Sequence, residues 1–180
     1  MTIIALVGMP GSGKSTVAAL LEKKGFVRVR LGDIVDQELR QRSMKRSEAT
    51  EKIVRNEIRD THGMHAFALL NLPRIKKVQA RGKNIVIDGM KSLEEFEFLK
   101  EELRDFIVLA VHSPKAVRHQ RLQHRQERPL TKEQAEARDA EEIEKANCIG
   151  PIARADATVI NEGNVEQLRK NVDAILRALE

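Results

Sequence analysis

The sequence predicts an α/β fold of three layers, α/β/α, with a parallel sheet of about five strands between its helices. Three observations carry this. Short apolar stretches alternate with longer stretches of helical periodicity along the whole chain. The first of them, Ile3 to Val7, is an unbroken apolar run, the mark of a strand buried on both faces. A glycine-rich segment, Gly8 to Thr16, then joins that strand directly to a helix. At 180 residues, with no linker-like composition shift and no internal repeat, the chain is expected to form one domain, 1–180.

Each further element follows from its local pattern. "KSTVAALLEKKG" has helical spacing, basic residues towards its end and Gly25 as a stop. "FVRVR" alternates as a second strand. From Asp33 to about Ala80 the pattern is helical, broken near Thr61-His62-Gly63 and disturbed at Pro73, with no strand signal. "NIVID" is a third strand, and Ser92 and Glu95 open the next helix at capping-box spacing. "FIVLAV" is a fourth strand, followed by a basic helix ending at Pro129. Thr131 and Gln134 make a second possible capping box, for an acidic helix through Asn147. "ATVIN" is the last strand, and an amphipathic helix from Val165 closes the chain. Right-handed crossovers place the loops that follow the strands on one edge, where ligands bind.

Composition narrows the partners. A net charge of +5 and a pI near 9.5 favour an anion: nucleic acid, membrane headgroups or phosphorylated small molecules. Aromatic residues are only 3%, with no Trp or Tyr, so base-stacking platforms are nearly absent and nucleic acid is disfavoured. One cysteine, Cys148, excludes an internal disulfide and a Cys-based zinc site, and it reads as a small buried residue in a reducing cytoplasm. The segment "MTIIALVG" lacks a basic n-region and its apolar run is too short to span a bilayer, so neither export nor membrane insertion is expected.

The segment "GMPGSGKST" matches G-x-x-x-x-G-K-[ST] between a buried strand and a helix, the context this phosphate-binding P-loop requires. Gly8, Met9, Pro10, Gly11, Ser12, Gly13, Lys14, Ser15 and Thr16 are the expected nucleotide-binding residues. Backbone N–H groups would curl around a triphosphate at the positive end of the helix, with Lys14 on the β/γ-phosphates and the Ser15 hydroxyl on Mg²⁺. The bland alternative is a glycine-rich turn. No Asn-Lys-x-Asp base-reading motif accompanies the loop, which leaves a small kinase rather than a GTPase.

Other candidates carry two readings each. Asp88, at the end of a strand on the P-loop's edge, can hold Mg²⁺ through water or belong to an ordinary turn with Gly89. Asp33, just after the second strand, can orient an acceptor or take its proton, or can be a helix N-cap, with Asp36 adding first-turn charge. In "AVRHQRLQHRQERP", Arg118, Arg121, Arg125 and Arg128 fall within an arc of roughly 80° on a helix, with Glu127 opposite. Such a row stabilises transferring phosphoryl oxygens or is a solvated basic face. Arg138 has Glu141 and Glu142 at i+3 and i+4, which would satisfy it as a surface pair. His62 and His65 flank a glycine without a further ligand pattern.

These motifs resemble the P-loop nucleoside monophosphate kinase superfamily nearly end to end, and most closely an archaeal-type group related to adenylate kinase and dephospho-CoA kinase. "LGDIVDQEL" is similar to the Thr-Gly-Asp segment of adenylate kinases and "IDGMKS" to their Asp-Gly-Phe-Pro-Arg segment. "SPKAVRHQRLQHR" resembles the segment that enters the lid, and "ADATVINEGNVEQL" the Asn-x-Gly segment near the adenine in dephospho-CoA kinases. The resemblance implies an NMP-kinase-like P-loop NTPase fold with a short lid, Gln126 to Thr131, in a lid region 118–138, and an acceptor-binding helical region 33–80. It implies ATP and Mg²⁺ as cofactors, Lys14, Asp33, Arg121, Arg125 and Arg138 as catalytic residues, Ser15 and Asp88 at the metal, and a small nucleotide substrate. Two positions depart from the pattern. Asp36 stands where adenylate kinases have a phosphate-binding arginine, and Met90, Lys91 and Ser92 follow Asp-Gly, so that AMP is a doubtful acceptor while ATP stays the expected donor. A lysine at 91 can contact phosphate but offers no bidentate fork. The departures leave room for a nucleotide-binding regulator with little turnover. Acceptor and oligomeric state stay open.

Overall fold

The computed structural model describes residues 1–126 and 128–178. Among them, β1 (Ile3–Val7), β2 (Val27–Arg30), β3 (Ile85–Asp88), β4 (Phe106–His112) and β5 (Ala157–Ile160) form one parallel sheet in the order β2-β3-β1-β4-β5. The expected three-layer α/β/α arrangement is present. Strand β1 is central because every residue in it is apolar. Its side chains alternate between two cores. Ile3, Ala5 and Val7 pack with Ile85, Ile87 and residues of α2 (Asp33–Gln41), α3 (Glu48–His62), α4 (Ala66–Gln79) and α5 (Leu93–Glu102). Ile4 and Leu6 pack on the other face with Val86, Leu109 and residues of α1 (Lys14–Glu22) and α9 (Val165–Ala178). No helix among the described residues is long and apolar enough to cross a membrane.

Chain order and strand order together position the site. From β1 the chain passes over β3 to reach β2, and later returns beyond β1 to β4, so the direction of winding reverses at β1. The loops after β1, β3 and β4 therefore meet at a switch point, where open α/β sheets bind ligands. Asp88 pairs in register with Leu6, which puts its carboxylate beside the end of β1.

Both expected capping boxes form. Ser92 accepts from the Glu95 backbone N–H at 3.1 Å, and its hydroxyl donates to the Met64 carbonyl, fixing α5 to the turn before α4. Thr131 and Gln134 open α7 (Lys132–Glu144). A third box, Ser47 with Thr50, opens α3. It divides the 33–80 region once more than the sequence suggests, after a left-handed Ser43 (φ 54°). Pro73 sits within α4 without ending it; Asn71, buried two residues earlier, anchors the helix to the Leu31 carbonyl at 3.1 Å. The acidic helix stops at Glu144 rather than Asn147, whose backbone is left-handed (φ 49°), and a short α8 (Ile149–Ala153) follows.

The largest correction concerns the basic helix. α6 (Lys115–His124) ends five residues before Pro129, Arg125 is extended (ψ 143°) and Arg128 left-handed (φ 54°), so the helical arc of four arginines does not exist. Glu127, expected opposite that arc, lies outside the described residues. Arg118 points inward instead. Its two terminal nitrogens bind the Asp139 carboxylate at 2.8 and 2.7 Å, and one of them also donates to the Pro10 carbonyl at 2.8 Å. His119 Nε2 lies 3.0 Å from the same carboxylate. Burial pushes the Asp139 carboxyl up, but the hydrogen bonds from Arg118 and His119 outweigh it and hold the group below its ordinary value.

This buried pair joins α6, α7 and the loop after β1. Asp139→Ala leaves the Arg118 guanidinium buried without its anion and is expected to cost about 3–5 kcal/mol in urea unfolding. Removal of the exposed Lys115–Glu136 pair by Glu136→Ala is expected to cost no more than about 1 kcal/mol in the same measurement.

Candidate active site

The loop after β1 is held in a shape that only glycine allows at three positions. Gly8, Gly11 and Gly13 have φ of 141°, 77° and 99°. A Cβ on Gly8 would lie 2.4 Å from the Val111 carbonyl oxygen, on Gly11 2.6 Å from that of Arg118, and on Gly13 2.1 Å from Asn161 Nδ2. Asn161 and Ser113 tie the loop down from the ends of β5 and β4, each donating to the Ser12 carbonyl, at 2.7 and 3.2 Å. Among the described residues no side chain caps the start of α1; the Thr16 N–H turns to the Gly13 carbonyl at 3.0 Å, and the N–H groups of Lys14 and Ser15 face the end of the helix where an anion can be received. The Ser12 hydroxyl is buried and has no partner among the described residues. Lys14 Nζ folds back onto the Gly8 and Met9 carbonyls at 2.6 and 3.1 Å. These features fit a polyphosphate, which would supply the acceptors now missing.

The loop opens into a cavity of about 290 Å³, at the lower end of the size usual for small-molecule sites. Lys14, Ser15, Asp88, Lys91, Arg125, Arg138 and Glu142 all line it. Glu142, on α7, is the charge centre of the inner part. It is ion-paired with Lys91, and it accepts from Arg138 at 3.0 Å. Burial pushes its carboxyl up, but Lys91 and Arg138 dominate and hold it at about 2. At Lys14, burial and then the neighbouring Lys91 ammonium lower the pKa to about 8, with Glu142 and Asp88 opposing. Asp88 Oδ2 is bonded by Arg28, which leaves Oδ1 for another partner.

The outer part of the cavity is formed by α2, α3 and the segment after α6. Glu51, buried in α3, accepts from Arg46 at 2.8 Å, Arg55 at 3.3 Å and Arg128 at 2.6 Å. Against the effect of burial, these guanidinium groups keep its carboxyl below its ordinary value. Glu48 pairs with Arg55 at 2.9 Å and with Arg138, and Asp36 with Arg30 and Arg46. Arg138 is therefore no surface pair: it bridges Glu48 and Glu142 inside the cavity.

Of the candidate catalytic residues, Arg121 and Asp33 stand outside that lining, as do Met9, Ser12, Gly13 and Thr16 of the loop. Arg121 lies over the outer side of the loop, donating to Ser113 Oγ at 3.0 Å and to the Asn161 carbonyl at 3.1 Å. Asp33 does not cap α2, whose N-cap is Gly32, and its exposed carboxylate is held by Arg30 at 2.8 Å and Arg74 at 2.7 Å. Those bonds overcome the upward push of burial and lower its pKa. Of the remaining loop residues, Met9 touches Cys148, with 3.5 Å between the sulfurs, and Thr16 is exposed on α1. Among the described residues no three His, Cys, Asp or Glu side chains gather as a metal cluster. Glu51, Glu48, Arg46 and Arg55 were not singled out from the sequence. Their signal is the spacing of Glu48, Glu51 and Arg55 at i, i+3 and i+7 on one helix face.

The family model described as an AAA domain matches residues 4–144. A UPF0200 protein of Pyrococcus abyssi is 33% identical over 185 residues, covering 98% of this chain and 96% of its own. A crystal structure from Thermus thermophilus superposes with a TM-score of 0.62 at 24% identity, covering 99% of this chain and 98% of that one. Shikimate kinase from Aquifex aeolicus does so with a TM-score of 0.58 at 21% identity, covering 98% and 97%. At such identity the likeness is one of fold, and the fold is that of P-loop kinases.

Two outcomes test the loop. Gly11→Ala adds left-handed strain to a clash with the backbone of α6 and is expected to lose about 3 kcal/mol or more in urea unfolding. Gly25→Ala has the strain (φ 88°) but nothing within 4 Å, and about 1–2 kcal/mol is expected. Separately, a triphosphate meets a charged Lys14 only below pH 8, so its affinity by calorimetry should hold from pH 6 to 7.5 and fall above about 8. The fall approaches about tenfold per pH unit as bound phosphate keeps the proton on. In the free protein the same lowered pKa makes Lys14's contribution to stability rise between pH 8 and its ordinary 10.5, because there the unfolded chain binds the proton and the folded chain does not.

Proposed function

The chain belongs to the UPF0200 family and carries an AAA domain, and on that footing we propose that it is an ATP-dependent kinase passing the γ-phosphoryl group to a small acceptor of the nucleoside monophosphate or dephospho-CoA kind. The observation that carries this reading is the convergence of Lys14, Lys91 and Arg138 on one small cavity that opens from a glycine-shaped, uncapped helix start. Phosphoryl transfer needs little covalent help from a protein; it needs positioning and positive charge around the equatorial oxygens.

In this reading Gly8 to Thr16 bind the donor phosphates through the backbone, and Lys14 leaves the Gly8 carbonyl for the β- and γ-oxygens. Ser15 and, through water, Asp88 would hold Mg²⁺, which would neutralise phosphate charge when bound. Arg125 and Arg138 take the transferring phosphoryl, while Arg121 lies by Gly13 over the donor. Asp33 positions the acceptor indirectly, through Arg30, which does line the cavity. The helices between 33 and 80 and the lid region 118–138 serve as two covers on a single domain, whose closure would exclude water from the phosphoryl group.

The second reading is a nucleotide-binding regulator with little turnover. It is favoured by the carboxylates of Glu142, Glu48 and Glu51, which already occupy the cations that catalysis would use.

Labelled ATP with a panel of nucleoside monophosphates and dephospho-CoA separates the two. A kinase is expected to label at least one acceptor, and Lys14→Ala to slow that transfer by about a hundredfold or more. Saturable ATP binding that Lys14→Ala weakens, with no labelled product from either chain, selects the regulator.

A further inference from the structure

The edge of the sheet opposite the P-loop carries a second cavity, of about 410 Å³, within the range of small-molecule sites. Its walls come from the segments that enter the first three strands and from the last helix. Thr2 precedes β1, Phe26 precedes β2 and Asn84 precedes β3, while Asp173, Leu176 and Arg177 project from α9. Gly25, between the lining residues Lys24 and Phe26, bends the chain at a φ of 88°, and a Cβ there would meet nothing within 4 Å. The charges in the lining do not cancel. Lys24 and Arg177 stand against Asp173 alone, an excess of one positive charge. Asp173 has its partner in Lys24, at 2.6 Å, with the Arg169 cation close by, so Arg177 is the cation to spare. Among the described residues Arg177 makes no hydrogen bond and no ion pair. Asn84 accepts from the Thr2 N–H at 2.9 Å, and among the described residues its own side-chain N–H groups donate to nothing. Beneath these groups the floor is apolar: Phe26 and Leu176 pack onto the core that contains Ile4 and Leu6.

We infer that this cavity is a binding site, separate from the P-loop, for a small organic carboxylate with an apolar body: Arg177 and Asn84 take the carboxylate, and Phe26 and Leu176 take the hydrocarbon. A guanidinium with both terminal nitrogens unspent matches the two oxygens of a carboxylate, and the Asn84 amide adds a neutral donor. The charge count agrees, since one negative charge cancels the excess in the lining, whereas a phosphate dianion would bring a second charge towards Asp173. Neither half of the lining is served by a simpler ligand. A neutral hydrocarbon would take water from Arg177 and give it no acceptor. A small inorganic anion would leave Phe26 and Leu176 wet. The end of α9 explains how Arg177 stays in place without a ligand, because a cation in the last turn complements the helix dipole. The cavity lies at the far ends of the two elements that carry the P-loop. Strand β1 runs from beside Thr2 to Gly8, and α1 from Lys14 to just before Lys24. The site goes beyond the kinase reading and does not depend on it.

The test uses the full chain and sodium octanoate, followed by calorimetry at about pH 7.5 and low salt, with 1-octanol and acetate as controls. One octanoate is expected to bind with a Kd of about 1 mM or tighter. Octanol keeps the hydrocarbon and loses the charge, acetate keeps the charge and loses the hydrocarbon, and each should bind about tenfold more weakly or worse. Arg177→Gln is expected to weaken octanoate about tenfold or more. Arg177 is exposed at the end of α9, so this variant should unfold at the same temperature as the parent chain. Lys14→Ala should leave octanoate binding unchanged, which separates this cavity from the cations around the P-loop. Absence of saturable binding, binding indifferent to Arg177→Gln, or octanol bound as tightly as octanoate overturns the proposal. Loss of octanoate binding on Lys14→Ala overturns it too, because the probe would then have been seated at the P-loop. None of these outcomes involves phosphoryl transfer, so a chain that transfers nothing can still bind octanoate here, and a working kinase can fail to.

Discussion

The geometry of the site depends on a wedge. The loop after β1 is pressed against the backbone of Val111 at Gly8, the backbone of α6 at Gly11 and the Asn161 amide at Gly13, with no room for one carbon atom at any of them. Such contact fixes the loop from three elements that are far apart in sequence. Donors aimed in advance lose nothing to reorganisation when an anion arrives, which is where catalysts of charge transfer gain most. The Arg118–Asp139 pair extends the constraint outward. Because Arg118 also binds the Pro10 carbonyl, a shift of α6 or α7 is felt in the loop itself.

Around this rigid floor the walls are electrostatic. Lys14, Lys91 and Arg138 share Glu142; Arg46, Arg55 and Arg128 share Glu51; Arg138 and Arg55 share Glu48. A buried carboxylate held by several cations costs desolvation, and removing either sign leaves the other stranded. Burial first and then this crowding lower Lys14, while the crowding overcomes burial at Glu142 and lowers that carboxyl too. Each cation raises the cost of the next, while each stabilises the one carboxylate between them. The cavity's cations are thus balanced by internal anions, and under the proposed function an external polyanion would compete for them.

Much of this was legible in the sequence, and the reasons for success and failure are physical. The apolar run of β1, the glycines at 8, 11 and 13, and the Ser92 and Thr131 caps are local signals, and local signals survive folding. Asp88 was readable because strand ends share an edge. The row of arginines after Pro114 was misread because helical geometry was extended past His124, and because acidic partners were sought only nearby in sequence. Asp139 lies 21 residues from Arg118, and Glu51 lies 77 from Arg128. Pairings at that separation are set by how α3 and α7 pack, which no local pattern reports. Glu142 failed for the same reason, as its spacing from Arg138 suggested a surface pair and hid its bond to Lys91.

The two positions that depart from adenylate kinases look like losses only when each is considered alone. Asp36 puts a carboxylate where a phosphate contact belongs, yet it draws in Arg30 and Arg46. Lys91 replaces a forked guanidinium with an ammonium, yet it sits against Glu142 and Lys14, and Arg138 on the same carboxylate restores the fork. In both cases the charge has moved from one helix to a neighbour while the cavity keeps its sign. A phosphate site can tolerate such exchange, because it requires a field and hydrogen-bond donors of the right reach, and it imposes no particular chain segment to carry them. What the exchange changes is geometry. Donors carried by α3 and the segment after α6 reach the cavity from a different side than donors on α2 would, so the change lies in direction more than in the number of charges.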